Sequence, residues 1–312
     1  MVPEEIMRRG NVKVTDFHYR NDTITFTAVT NGTTRVKIKR NGIEPGQVIR
    51  RRSDESLEFV RDELTIEEPL EIRIGRKTVA TTMRTPGHDE ELAAGFLVSE
   101  GLVRAAGTIT RFVRPAASAD RHNIIIAVLQ PGTQVKLNSS KRFGTISSSC
   151  GLCGKNSIAA IRQNFAPIKP GKTRVQMETL LQLPGKLRDE QSEFARTGGI
   201  HAAGIFAFDG ASRIVREDIG RHNAVDKAIG RAFLDDGLPL DNCILMVSGR
   251  ASFEIMQKAL AAGIPVVASV SAPSTLAVNF ARESNQTLIG FLRPPSLNIY
   301  THTERIVLAH EP

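Results

Sequence analysis

The chain has 312 residues, 41% of them hydrophobic, enough for a substantial core divided between two domains, yet its apolar stretches, such as residues 123–129 and 264–268, are too short to cross a bilayer. Lys and Arg number 41 against 33 Asp and Glu, a net charge of +8 that favours anionic partners, while the absence of Trp, only two Tyr and no recognisable binding module argue against nucleic acid. The start carries Glu4 and Glu5 with no apolar run behind them, unlike a secretory signal, so a cytoplasmic protein without membrane attachment is expected.

In chain order, residues 1–62 alternate polar and β-branched residues (Thr23-Ile24-Thr25-Phe26-Thr27, Thr34-Arg35-Val36-Lys37-Ile38) before the run Arg50-Arg51-Arg52, and read as a β-rich N-terminal extension. Residues 66–74 and 77–83 read as a hairpin. Residues 90–102 read as an amphipathic helix, with Leu92, Phe96 and Val103 at helical spacing. Two more strands are predicted at 108–113 and 123–129, completing a small α+β domain over residues 63–140.

A Cys-x-x-Cys pair follows, Cys150 and Cys153, wrapped in Ser147, Ser148, Ser149, Gly151 and Gly154, with a helical pattern beginning directly afterwards. Small neighbours leave the sulfurs uncovered, and the positive end of a helix favours thiolate over thiol. Two other readings stand beside reactive sulfur: half of a zinc site, since the spacing suits two ligands, and an incidental pair. Three cysteines in the whole chain are too few for a disulfide scaffold, no second Cys-x-x-Cys exists, and Cys243 lies in an apolar run that reads as a buried strand with an inert thiol.

From about Ser157 helices alternate with strands. Strands are predicted at 200–208, 243–247, 265–270 and 287–291, and helices at 223–234, 253–262 and 274–281, which argues for an α/β layered domain over residues 141–312 with a largely parallel sheet. The turns after three of these strands share a chemistry. Ser248, Gly249, Arg250 and Ser252 open one helix, Ser271, Ser274 and Thr275 open the next, and Phe291, Leu292 and Arg293 close the third strand. Free backbone N–H groups at helix starts, hydroxyls and arginines make such turns anion cradles, and ligands of open α/β sheets collect at the carboxyl edge of the strands. Ser and Thr are equally ordinary helix caps. Two further polar segments, residues 196–204 with His201 and residues 216–227 with Arg221 and His222, offer acid–base groups or phosphate donors, or else structural histidines; Asp218 or Asn223 then caps a helix, with Asp226 and Lys227 on its solvated face.

Taken together, Ser148-Ser149-Cys150-Gly151-Leu152-Cys153-Gly154, Thr197-Gly198-Gly199-Ile200-His201, Glu217-Asp218-Ile219-Gly220-Arg221-His222-Asn223, Ser248-Gly249-Arg250 and Ser271-Ala272-Pro273-Ser274-Thr275 resemble the FdhD family of formate dehydrogenase accessory sulfurtransferases. The resemblance runs from about Asp62 to His302 and leaves residues 1 to about 60 outside it.

It implies a cytoplasmic sulfur carrier that accepts sulfur from a cysteine desulfurase as a persulfide. The sulfur passes to a molybdenum (or tungsten) bis(pyranopterin guanine dinucleotide) cofactor, bound transiently, before insertion into formate dehydrogenase. Cys150 would carry the persulfide with Cys153 assisting. The guanine nucleotide ends would lie near Ser248, Gly249, Arg250, Ser271, Ser274 and the run Phe291, Leu292, Arg293, Pro294, Pro295 and Ser296, with Arg221, His222 and His201 close by. The implied fold is α/β, with a cytidine-deaminase-like three-layer larger domain beside a smaller α+β one, in a homodimer with no tightly bound metal. That fold raises a second reading, a zinc-dependent deaminase, which would need His-x-Glu followed by Pro-Cys-x-x-Cys; here Ala202 and Ala203 follow His201, and the cysteines precede it. A third is a chaperone that only binds the cofactor.

Overall fold

The structure, a computed structural model, describes residues 13–20, 23–29, 33–39, 42–116, 120–135, 145–146, 165–171 and 174–308. Cys150, Cys153, the helix predicted after them and the domain boundary placed at residue 140 lie outside the described residues.

The N-terminal extension forms strands. β1 (Lys13–Arg20), β2 (Thr23–Val29) and β3 (Thr33–Lys39) make an antiparallel meander, and β4 (Ile43–Arg51) and β5 (Leu57–Thr65) a separate two-stranded ribbon. The predicted hairpin follows as β6 (Glu68–Ile74) and β7 (Lys77–Arg84). Together with β8 (Ile109–Val113), β9 (Ile124–Leu129) and the short β10 (Thr145–Ile146) it builds a five-stranded sheet of order β10-β7-β6-β9-β8. After the short β11 (Val175–Gln176) come two helices that the sequence pattern did not predict, α2 (Met177–Asp189) and α3 (Ser192–Thr197); α1 (Asp89–Ser99) precedes β8.

The second sheet has six strands: β12 (His201–Ala207), β13 (Ser212–Asp218), β14 (Cys243–Val247), β15 (Val266–Ser269), β16 (Thr287–Arg293) and β17 (Ser296–Thr301), in the order β13-β12-β14-β15-β16-β17. Only the β14–β15 and β15–β16 pairs are parallel. The sheet is therefore mixed rather than largely parallel. The difference arises on either side of the parallel strands: β12 runs antiparallel to β14, and β12–β13 and β16–β17 are joined by short connections that only antiparallel neighbours can use. α4 (Arg221–Leu234), α5 (Phe253–Ala261) and α6 (Thr275–Glu283) follow β13, β14 and β15.

Alternate residues of the central strands face opposite cores. Leu245, Val247, Val267 and Leu288 pack with α1, α4, α5 and α6, whereas Ile244, Met246, Val266 and Ile289 pack with Leu180, Leu183 and Leu187 of α2. Helices thus cover both faces, giving three layers, and that double burial explains why β14 reads as an unbroken apolar run. Each fully buried Leu or Ile here contributes about 1.5–3 kcal/mol.

α1 is not amphipathic. Leu92, Ala93, Ala94, Leu97 and Val98 are buried, and so are Asp89, Glu91 and Ser99, because the helix lies between the five-stranded sheet and α4. The two helices touch backbone to backbone: a Cβ on Gly95 would fall 1.8 Å from the Asp226 carbonyl oxygen, and one on Gly230 1.8 Å from that of Glu91. Charges in the seam are paired. Arg216 donates to both oxygens of Glu91 at 2.5 and 2.9 Å; burial pushes the Glu91 carboxyl up, but His88 and Arg216 outweigh it and hold the group at about 2. Arg84 likewise clasps Asp89 at 2.9 and 3.1 Å.

Candidate functional site

The three strand-end turns are neighbours. Val270 N donates to Val247 O at 3.1 Å, Ser274 N to Ala251 O at 3.1 Å and Phe291 N to Ser271 O at 3.1 Å, so the carboxyl ends of β14, β15 and β16 form one continuous rim. Ser269 Oγ, between them, donates to Gly249 O at 2.7 Å. The antiparallel β12 brings its first residue to the same edge: Ser248 N donates to Ala202 O at 3.0 Å, and Ala202 N to Ser248 Oγ at 2.9 Å. Gly249 then sits where a Cβ would be 3.4 Å from both Arg221 Cδ and His201 Nδ1. His201, Arg221, Ser248 and Gly249 thus meet at one point.

The remaining predicted residues divide. Arg250, Phe291, Arg293, Pro294, Pro295 and Ser296 are exposed on the rim. Phe291 has a φ of 51°, in the left-handed region that a bulky side chain seldom adopts, and Arg293 Nε donates to Val270 O at 3.1 Å, tying the third turn to the second. Leu292 is fully buried in the core against α2, which leaves only its backbone to the rim. Ser274 is an ordinary helix cap, its Oγ accepting from Ala277 N at 3.2 Å. Ser252 also stands at a helix start but does not cap; its hydroxyl faces His222 Nε2 at 3.1 Å.

Electrostatics at the rim favour an anionic visitor. Arg221 opens α4, and its buried Nε has no hydrogen-bond partner among the described residues. Burial, then Arg250, lowers its pKa below the usual arginine value. Burial and the Arg221 charge lower the pKa of His201 too. His222 is held down to about 3 by burial, with Lys258, Arg221 and His201 adding to it, even though Glu254 Oε2 lies 3.0 Å from Nε2. Both histidines are therefore neutral near pH 7, and the positive charge belongs to the arginines.

The rest of the 216–227 segment is structural, which corrects the reading of Asp226 and Lys227 as a solvated face. Both are buried. Lys227 Nζ contacts Asp218 Oδ2 at 2.8 Å and donates to Thr85 O at 2.9 Å, fastening α4 to the end of β7. Asp226 accepts from Lys258 at 2.7 and 2.9 Å and from Ser99 at 2.8 Å; burial opposes the Lys258 charge, but the carboxylate beside it holds the ammonium above its ordinary value. Asn223 lies inside α4 and donates to Met83 O at 2.7 Å instead of capping, while Asp218 accepts from Gly220 N at 2.8 Å just before the helix. With Lys227, Gly220 and Asn223 on its oxygens, Asp218 is not free to move a proton for His201. Cys243 is buried, and burial pushes its thiol up, as expected of an inert core sulfur.

Sequence reasoning passed over Gln191, Arg188 and Phe194, which line a cleft beside His201 and Ser248. No local pattern marks them, because α2 and α3 were not predicted as helices.

Comparison with known proteins follows the same span. The profile of the FdhD/NarQ family matches residues 65–307. The chain is 49% identical over 255 residues to "Sulfur carrier protein FdhD" of Streptomyces coelicolor, covering 79% of this chain and 90% of that protein. It is 50% identical over 252 residues to the protein of the same name from Mycobacterium tuberculosis, covering 78% and 91%. The protein of the same name from Sulfurisphaera tokodaii is 42% identical over 254 residues, covering 80% and 94%. A crystal structure described as a formate dehydrogenase accessory protein from Desulfotalea psychrophila superposes with a TM-score of 0.68 at 22% identity, over 85% of this chain and 100% of that one, and so shares the fold.

Proposed function

The chain belongs to the FdhD/NarQ family, and from that membership we propose that it is a sulfur carrier serving formate dehydrogenase. The observation that carries the reading is the half-identity to proteins named sulfur carriers, sustained over nine-tenths of their length.

In this reading the Cys150 thiolate attacks the terminal sulfur of a persulfide on a cysteine desulfurase. The donor S–S bond breaks, the donor thiolate leaves, and a Cys150 persulfide forms with no net change of oxidation state. Transfer onward has the Cys153 thiolate attack the inner sulfur, which releases hydrosulfide to the substrate and leaves a Cys150–Cys153 disulfide for a cellular thiol to reduce. The substrate is a molybdenum bis(pyranopterin guanine dinucleotide), whose phosphates suit charge-assisted hydrogen bonds from Arg221, Arg250 and Arg293 beside the N–H groups of the rim. Chain geometry is compatible with this. Ile146 pairs with Thr82, whose hydroxyl donates to Asn223 at 3.1 Å in the first turn of α4. Cys150 follows Ile146 by four positions in the sequence, a span of at most about 14 Å when fully extended.

The same reading takes the larger domain as cytidine-deaminase-like, the protein as a cytoplasmic homodimer, and the activity as that of a sulfurtransferase. Intact-mass measurement after incubation with a cysteine desulfurase and cysteine tests it. Cys153→Ala should gain one sulfur atom and Cys150→Ala none; sulfur on the Cys150→Ala protein would overturn the assignment.

A further inference from the structure

The ribbon of β4 and β5 lies almost wholly ahead of residue 65, where the match to the family profile begins. Its base is fastened to the body. Arg196 donates to both carboxylate oxygens of Glu63, Nε at 2.8 Å, Thr65 Oγ1 donates to Thr197 Oγ1 at 3.0 Å, and Ile66 N donates to Gly42 O at 2.7 Å. Gly42 fits so closely that a Cβ there would fall 2.3 Å from Thr85 Cγ2. Arg196 and Thr197 belong to α3, and Gly198 and Gly199, which follow them, line the cleft beside the rim. The ribbon is therefore held at a fixed place next to the rim.

Beyond that base the register sorts the side chains by face. Ile49 pairs with Phe59, Gln47 with Arg61 and Arg51 with Leu57, and directly opposed residues share a face. One face thus carries Gln47, Ile49, Arg51, Leu57, Phe59 and Arg61, all exposed, with Ile49 at 58%, Leu57 at 69% and Phe59 at 86%. Glu44, Glu58 and Asp62 fall on the reverse face beside Arg50. Outward of Glu63, the apolar face therefore carries positive charge and no strand carboxylate. Arg51 reaches Glu55 of the turn at 2.8 Å, an exposed pair that a partner's carboxylate replaces at little cost.

Three large apolar side chains in the open make a patch of the size that marks a contact site, yet well short of the ~800 Å2 per partner of a stable interface. The contact is a transient one. A second copy is a poor occupant, because it would set arginines against arginines in a chain of net charge +8. An acidic protein surface fits both the charge and the apolar centre.

We propose that the β4–β5 ribbon is a docking arm for the formate dehydrogenase polypeptide that receives the cofactor, with Ile49, Leu57 and Phe59 entering an apolar recess whose edge carboxylates meet Arg51 and Arg61. Position selects this partner: whatever sits on the arm stands beside the rim, where the carrier reading puts the cofactor, whereas the sulfur donor has to meet Cys150. The inference rests on that reading and adds to it the surface that finds the acceptor.

The protein is first charged with radiosulfur by a cysteine desulfurase and cysteine, and passage of label to cofactor-loaded immature formate dehydrogenase is then followed at rising concentrations of that enzyme. Leu57→Thr combined with Phe59→Thr, which keeps strand-forming residues in β5, should raise the half-saturating concentration about tenfold or more while charging and the plateau rate stay at wild-type values. Arg51→Glu leaves every apolar side chain in place, and so reports even where the double variant disturbs the ribbon; it should raise the half-saturating concentration about threefold or more at low salt and by less at high salt. Leu234→Ser, which removes an exposed apolar side chain at the far end of α4, should change nothing. Unchanged half-saturation in both ribbon variants, or a defect in charging in place of one in delivery, would overturn the docking arm and leave the carrier reading standing. A wild-type chain that takes up no label would overturn both.

Discussion

The seam between α1 and α4 and the rim at the ends of β14, β15 and β16 are both rich in charge, but they treat it in opposite ways. In the seam every charged group named above is matched: Glu91 by Arg216, Asp226 by Lys258 and Ser99, Lys227 by Asp218 and two carbonyls. At the rim and the cleft beside it, Arg221 Nε and Gln191 Nε2 are buried without partners among the described residues, and Arg250 and Arg293 are exposed. Unpaired buried donors weaken a fold, so their concentration at one edge marks the edge as a place for something other than folding. A single segment, residues 216–227, supplies both regions: Arg221 and His222 face the rim, and Asp226 and Lys227 lock the interior.

Substitutions should separate the two regions, with the largest losses of stability in the seam. Gly95→Ala or Gly230→Ala puts a methyl group into the facing helix backbone and should lower stability by about 3 kcal/mol or more, read as a fall in the urea midpoint. A wild-type midpoint would mean the helices do not touch there. Asp226→Ala leaves the Lys258 charge buried alone and should cost about 3–5 kcal/mol, whereas Asp226→Leu combined with Lys258→Met should recover most of it. If the double variant is no more stable than the single one, the pair is not the source of the loss. At the rim, Arg221→Ala should change stability by less than about 1 kcal/mol and still reduce phosphate binding.

A further expectation concerns pH. In the unfolded chain His222 takes up its proton near 6.5, but in the fold not until about 3. Between those values the unfolded state binds more protons, so the His222 contribution is complete above pH 6.5 and is lost as pH falls through that window. Melting temperature should therefore decline on acidification from 6.5, and more shallowly in His222→Gln. Identical slopes would show that His222 is not held neutral.

Legibility in the sequence followed the range of the forces involved. β14 could be read because burial on both faces leaves its five residues apolar, the turn after it because Ser248, Gly249 and Arg250 cluster there, and the turn after β15 because Ser271, Pro273, Ser274 and Thr275 do. β13, Ser-Arg-Ile-Val-Arg-Glu-Asp, was missed because an edge strand half open to solvent carries mixed polarity that resembles a loop. α2 was missed although Leu180, Leu183 and Leu187 keep helical spacing, since Pro184 and Gly185 interrupt the pattern. The all-round burial of α1 was hidden by Asp89 and Glu91, whose partners Arg84 and Arg216 come from other elements. Gln191 carried no signal of its own, because being unpaired is a property of the surroundings and not of the residue.

The central claim is that sulfur reaches its destination by way of Cys150. Radiosulfur-labelled cysteine, supplied with a desulfurase, this protein and cofactor-loaded immature formate dehydrogenase, should place label on the cofactor of the enzyme with the wild-type chain and none with Cys150→Ala. Equal labelling by the two would contradict the account.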